Sequence, residues 1–295
     1  MADGGENVGT SDQPHSPTKE DLSKCFPKYD MDDKKRLVAY IFNHENFNKH
    51  SLYREGSSKD TKAFKAALIK LGFSERDVTV FEDNTADEVL NAFKNVGTRN
   101  PVGCFVCAIM SHGGENDQLR AYDRDVGLYA LLSCLTPVKC PSLSGVPKLI
   151  FVQACRGEEI DKGVCVTDGP ETEVNETLSN IPIMPDLLVF HSSYNKYSSF
   201  RDETNGSCFM ETLSKALSEF GTERELLTLL TAVSYYVASE EFKTKRNPEP
   251  EKQMPQIMST LLKQLKFEPR RGNASSKALD ICFEVGGEGK DGNRR

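Results

Sequence analysis

Between residues 37 and 154, four short apolar runs alternate with stretches whose apolar residues recur at helical spacing, and few folds accept such a pattern. The runs cover residues 37–42 (LVAYIF), 78–81 (VTVF), 102–110 (VGCFVCAIM) and 148–154 (KLIFVQA). Each has the length of a buried strand. Between the first two, Phe64, Ala67, Leu68 and Leu71 mark a helix over residues 59–71, with Gly72 as its stop. Between the second and third, Val89, Leu90 and Phe93 share one face of a helix over 86–96. Strands interleaved with helices predict an α/β domain, a mostly parallel sheet flanked by helices.

After residue 157 the character changes. Residues 158–180 are polar and acidic and read as an exposed linker. Apolar order resumes with a strand at 187–190, helices over 209–220 and 223–237, and a last strand over 258–267 (MSTLLKQLKF). The chain therefore divides into a short disordered N-terminal peptide (1–28), a large region (29–168), a small region (169–267, of which 169–182 is linker) and a Gly- and charge-rich C-terminal extension (268–295).

Composition excludes several functions. The net charge of −7 comes without a basic stripe, which argues against nucleic acid as a partner. The N-terminus has neither a signal-peptide core nor a spanning helix, so no membrane role and a cytoplasmic location are expected. Nine cysteines, an odd number without framework spacing, fit free thiols. Cys104 and Cys107 form a C-x-x-C pair, but in a strand an offset of three puts them on opposite faces, as core residues rather than metal ligands. The five histidines are too dispersed for a zinc site, no phosphate-cradling glycine loop occurs, and no metal or cofactor is expected.

In open α/β sheets, sites form beyond the carboxyl ends of the strands. The run 102–110 continues into Ser111-His112-Gly113-Gly114, and the run 148–154 into Cys155-Arg156-Gly157. If these two strands are parallel neighbours, His112 and Cys155 emerge on one edge, as a thiol nucleophile and its base require. The amides of Gly113 and Cys155 could then receive an oxyanion. Taken singly, His112 is an ordinary loop histidine and Cys155 a small core residue. A decoy lacking the chemistry would have lost one of the two, and a Rossmann-like module would carry glycines after the first strand, where residues 41–44 read IFNH.

The wording around these residues goes further. Residues 153–157 read QACRG, with His112 lying 43 positions before Cys155. This is the signature of caspases. Residues 41–47 (IFNHENF), Arg54-Glu55-Gly56 followed by Asp60, 145–157 (GVPKLIFVQACRG), 197–209 (YSSFRDETNGSCF) and 252–265 (KQMPQIMSTLLKQL) extend the resemblance over most of 29–267. The chain is similar to the executioner caspases, which have a short N-terminal segment.

The resemblance implies a three-layer sandwich around a mostly parallel six-stranded sheet, and a cysteine endopeptidase that cuts proteins after aspartate during apoptosis. It implies His112 and Cys155 as the dyad, Gly113 and Cys155 as oxyanion amides, and a backbone carbonyl near Leu52 that orients His112. Arg54, Gln153 and Arg201 would grip the substrate's aspartate, with Ser199 and Phe200 also lining the site. Two guanidiniums around one carboxylate suit such a pocket, because a neutral side chain would leave both cations unpaired. Activation by a cut after Asp168 in the linker, a further cut after Asp12 or Asp21, a homodimer joined through the last strand, an upstream initiator caspase and an inhibitor-of-apoptosis protein follow as expected partners and events. The chain departs from the pattern in having no tryptophan. Phe200 and Cys208 stand where similar executioners carry it, and Asp202 follows Arg201, so the fourth position before the cut is expected to prefer aliphatic residues or to be weakly selected.

Overall fold

The computed structural model describes residues 18–20, 27–31, 35–97, 102–157, 184–200, 206–242 and 249–269. Strands β1 (Arg36–Asn43), β2 (Val78–Glu82), β3 (Val102–Met110), β6 (Lys148–Gln153), β7 (Leu187–His191) and β8 (Gln256–Ser259) form one sheet in the order β2-β1-β3-β6-β7-β8. The first four pairings are parallel, and β8 closes the edge antiparallel to β7. A separate hairpin pairs β4 (Gln118–Arg120) with β5 (Asp125–Gly127).

Helices cover both faces. On one lie α1 (Ser57–Lys70), α4 (Cys208–Phe220) and α5 (Leu226–Ser239); on the other lie α2 (Ala86–Lys94) and α3 (Leu128–Leu132). The result is the expected three-layer sandwich with a six-stranded sheet. Strand β3 explains its own composition. Cys104, Val106, Ala108 and Met110 enter the first core, while Phe105, Cys107 and Ile109 enter the second. A strand covered on both faces has no polar side, so it reads as an unbroken apolar run. Cys104 and Cys107 lie in opposite cores as free thiols.

The local signals act as their chemistry dictates. Thr85 and Glu88 cap α2 reciprocally. Gly72, at φ 95°, ends α1 in a Schellman motif: Phe73 N donates to Leu68 O at 3.0 Å and Gly72 N to Ile69 O at 3.0 Å. The Ser207 side chain caps α4 by accepting from Met210 N.

Two expectations need correction. The last strand spans Gln256–Ser259, not 258–267. The regular ladder ends at the Leu188–Ser259 pair: beyond it Leu187 N donates to the Thr260 side chain at 3.2 Å while Thr260 O takes Asp186 N at 3.0 Å, and Leu265 and Phe267 return to the first core. Helix α5 starts at Leu226 rather than at 223, because Glu225 is its N-cap and the turn before it is closed by Glu223 N on Phe220 O. Residues 111–147, where no element was expected, carry the β4–β5 hairpin and α3. The linker, Asp168, Asp12 and Asp21, and nearly all of the two terminal segments lie outside the described residues.

Phe151, 1% exposed in β6, packs edge-on against Phe64 of α1 with ring centroids 5.6 Å apart. Phe151→Ala is expected to destabilise the domain by about 3–5 kcal/mol in urea unfolding, and Tyr235→Ala on the exposed side of α5 by at most ~0.5 kcal/mol.

Candidate active site

The site is built on the central pair β3–β6. In their register Met110 faces Gln153, and Ser111 N continues the ladder onto Gln153 O at 3.1 Å. His112 and Cys155 each lie two residues beyond these partners, so the pairing sets them side by side at the carboxyl edge. Gly113 presses against the end of β6: a Cβ there would sit 2.1 Å from Cys155 O and 2.9 Å from the Ala154 Cβ. Only glycine permits that approach. The loop continues under hairpin control, with Arg120 N donating to His112 O at 2.9 Å.

The His112 ring lies with Nε2 2.7 Å from Leu52 O, which matches the expected carbonyl. A carbonyl only accepts, so Nε2 carries the hydrogen and Nδ1 of the neutral ring is the basic nitrogen. The Phe47 ring packs against the imidazole at 5.3 Å. Cys155 is half-buried, and its Sγ accepts from Ser199 N at 3.4 Å. Ser199 Oγ in turn accepts Gln153 Nε2 at 2.9 Å, while Gln153 Oε1 is buried without a hydrogen-bond partner among the described residues.

Arg54 is 2% exposed, an unusual state for a guanidinium. Its Nη1 donates to His44 O at 2.7 Å and its backbone N to Glu45 O at 2.9 Å. Phe200 N donates to Gln253 Oε1 at 2.8 Å, and the Phe200 ring stacks on Phe242 at 5.0 Å. Arg201 and Asp202 lie outside the described residues. Cys208 opens α4, half-buried, and burial raises its thiol above the ordinary value.

Several residues of this edge were not singled out from the sequence. Arg156, next to Cys155, forms a two-pronged ion pair with Asp117, at 2.6 Å (Nε–Oδ1) and 3.1 Å (Nη2–Oδ2), and a further bond to Gln256 of β8. Backbone bonds join Arg156 to Tyr197 and Lys196 (both 3.1 Å), and Gly157 packs on the Lys196 backbone. Thus residues 155–157 are stitched to 196–199 from the far side of the linker. Asp117 has no local sequence signature; Phe47 and Gln253 lie in the matching stretches 41–47 and 252–265, but only long-range folding brings them to this edge.

An α/β fold that sets an imidazole beside a thiol at the carboxyl edge of its sheet has the dyad arrangement of a cysteine-dependent enzyme. The comparisons with known proteins narrow the class. The caspase domain family model matches residues 36–266. Caspase-1 of Spodoptera frugiperda is 34% identical over 92% of this chain and 92% of its own, and caspase-6 of Gallus gallus is 34% identical over 91% of each. Caspase drICE of Drosophila melanogaster is 35% identical over 83% of this chain and 73% of its own. The crystal structure of caspase-1 from Spodoptera frugiperda superposes with a TM-score of 0.73 at 35% identity, covering 83% of this chain and 96% of that one. The chain belongs to the caspase family and is a cysteine-type, aspartate-specific endopeptidase. Among the described residues no helix is long and apolar enough to cross a membrane.

Two buried histidines predict a pH dependence. Burial, followed by the nearby charge of Arg54, lowers His44 from 6.5 to about 4; burial, followed by Arg156, lowers His191 from 6.5 to about 3. Both stay neutral in the fold while the unfolded chain takes up protons below about pH 6.5. Stability is therefore full above that pH and falls as pH drops toward the lowered values, with a limiting slope of roughly 1.4 kcal/mol per pH unit for each ring. His191→Leu should reduce the difference in urea-unfolding free energy between about pH 7 and about pH 5.5 by roughly 1 kcal/mol relative to the parent.

Proposed function

We propose that this chain is an executioner caspase of the cytoplasm, made as a zymogen and activated in apoptosis by cleavage within its 158–180 linker. The observation that carries the catalytic part is the juxtaposition of His112 and Cys155 across β3–β6, with His112 Nε2 held by Leu52 O at 2.7 Å. In this reading His112 takes the Cys155 proton through Nδ1, and the thiolate attacks the backbone carbonyl carbon of the substrate's aspartate. The amides of Gly113 and Cys155 receive the oxyanion. His112 then protonates the leaving amine, and water admitted to the site cleaves the thioester and restores the thiol. Arg54, Gln153 and Arg201 bind the aspartate carboxylate. Ser199 and Phe200 border the substrate, and the Phe200–Phe242 stack supports an aromatic wall for a small apolar residue just before it.

The executioner assignment, an apoptotic role, a homodimer joined through the β8 edge, an initiator caspase as activator and an inhibitor-of-apoptosis protein as restraint rest on the resemblance of the motifs. The open edge of antiparallel β8 suits pairing with a second copy.

Hydrolysis of an aspartyl reporter peptide, with and without a thiol alkylator, tests the chemistry. Cys155→Ala should abolish turnover with the fold intact, and His112→Ala should lose ~10²–10⁴-fold. Near-parental hydrolysis by Cys155→Ala would overturn the mechanism.

Activation is read separately. Asp168 is followed by Gly169, which suits a narrow cleft better than the Asp161-Lys162 alternative. Intact-mass measurement of active enzyme should reveal a fragment beginning at Gly169, and Asp168→Ala should block that product; unchanged processing in the variant refutes the assignment.

A further inference from the structure

Asp83 follows the last residue of β2 and has φ 52°, a left-handed conformation that aspartate tolerates better than most residues. Its backbone N donates to Asn43 O at 3.0 Å, which fixes it to the end of β1. Three donors converge on its carboxylate: Glu45 N at 2.7 Å and Asn46 N at 2.8 Å on Oδ1, and Asn46 Nδ2 at 2.8 Å on Oδ2. Those amides belong to the peptide units whose carbonyls hold Arg54. The His44–Glu45 peptide offers its N–H to Asp83 and its C=O to Arg54 Nη1 at 2.7 Å. The Glu45–Asn46 peptide offers its N–H to Asp83 and its C=O to Arg54 N at 2.9 Å.

Peptide units are planar, so fixing an N–H fixes the direction of the carbonyl opposite it. A carboxylate bonded to the N–H side also polarises the unit and strengthens its carbonyl as an acceptor. We propose that Asp83 is a positioning residue that sets Arg54 through the two peptide units of residues 44–46, and thereby sets affinity for the substrate's aspartate. The proposal rests on the reading of Arg54 as a ligand of that aspartate. The choice of residue follows from the donor count: a carboxylate only accepts, whereas an asparagine would turn an NH₂ toward one of the three donors.

The test separates this role from general support of the fold. In the full-length, processed enzyme, Asp83→Asn should raise KM for an aspartyl reporter peptide by about 10- to 100-fold, the size expected when hydrogen bonds to a charged group are lost, while kcat changes only severalfold. Iodoacetamide is small and neutral and has no need of Arg54. Its rate of Cys155 alkylation, and the pH profile of that rate, should match the parent. A parental KM in folded Asp83→Asn overturns the proposal. So does a parallel loss in KM, kcat and alkylation rate, which would mark a merely structural residue. Arg54→Ala is the control. If it raises KM while Asp83→Asn does not, only the positioning role fails; if Arg54→Ala leaves KM unchanged, the reading of Arg54 fails and the proposal with it. Should Asp83→Asn not fold, Asp83→Glu keeps the charge but displaces its oxygens, and a parental KM in that variant overturns the proposal.

Discussion

The parallel pairing of β3 with β6 is the constraint on which the rest of the structure depends. Its register sets Met110 against Gln153 and so brings the two following segments, His112-Gly113 and Cys155-Arg156, to the same edge. The pairing also has to be buried on both sides, since β3 and β6 carry apolar residues into two cores at once. Helices on each face are therefore a requirement of the strands, and the edge left uncovered is the one where ladder partners run out and polar groups can gather.

That edge is assembled from distant stretches. The segment between β1 and α1 supplies the Leu52 carbonyl for His112 and the guanidinium of Arg54, and it is itself anchored at Asp83 and, through Asn48 N on Tyr122 O at 3.0 Å, beside the β4–β5 hairpin. Polar groups are buried here at a cost: His44 Nδ1, both ring nitrogens of His191 and Gln153 Oε1 have no hydrogen-bond partner among the described residues. Such groups oppose folding unless the surrounding contacts outweigh them.

The two halves of the chain share this edge. Cys155 belongs to the large region, yet Ser199 N contacts its sulfur, and Arg156 is bound to Asp117, Tyr197 and Gln256. Pairing of β6 with β7 and packing of α1 on α4 join the same halves through the core.

The alternation of apolar runs with helical spacing determined the α/β class by itself, since a strand buried on both faces and a helix buried on one write different periods into the chain. His112 and Cys155 were legible for the same reason: each directly follows such a run, and QACRG marks the second. Gly72 as a helix stop was equally local. The strand expected over 258–267 ends earlier because apolar content shows that Leu265 and Phe267 are buried, but not that the ladder stops at the Leu188–Ser259 pair. The grip of Asp83 on residues 45–46, the Arg156–Asp117 pair and the Phe200–Phe242 stack were decided only in three dimensions. Each joins residues separated by 37 or more positions, and a hydrogen bond or ring contact at that separation leaves no period in the sequence; it exists only once the sheet has fixed where the loops begin and end.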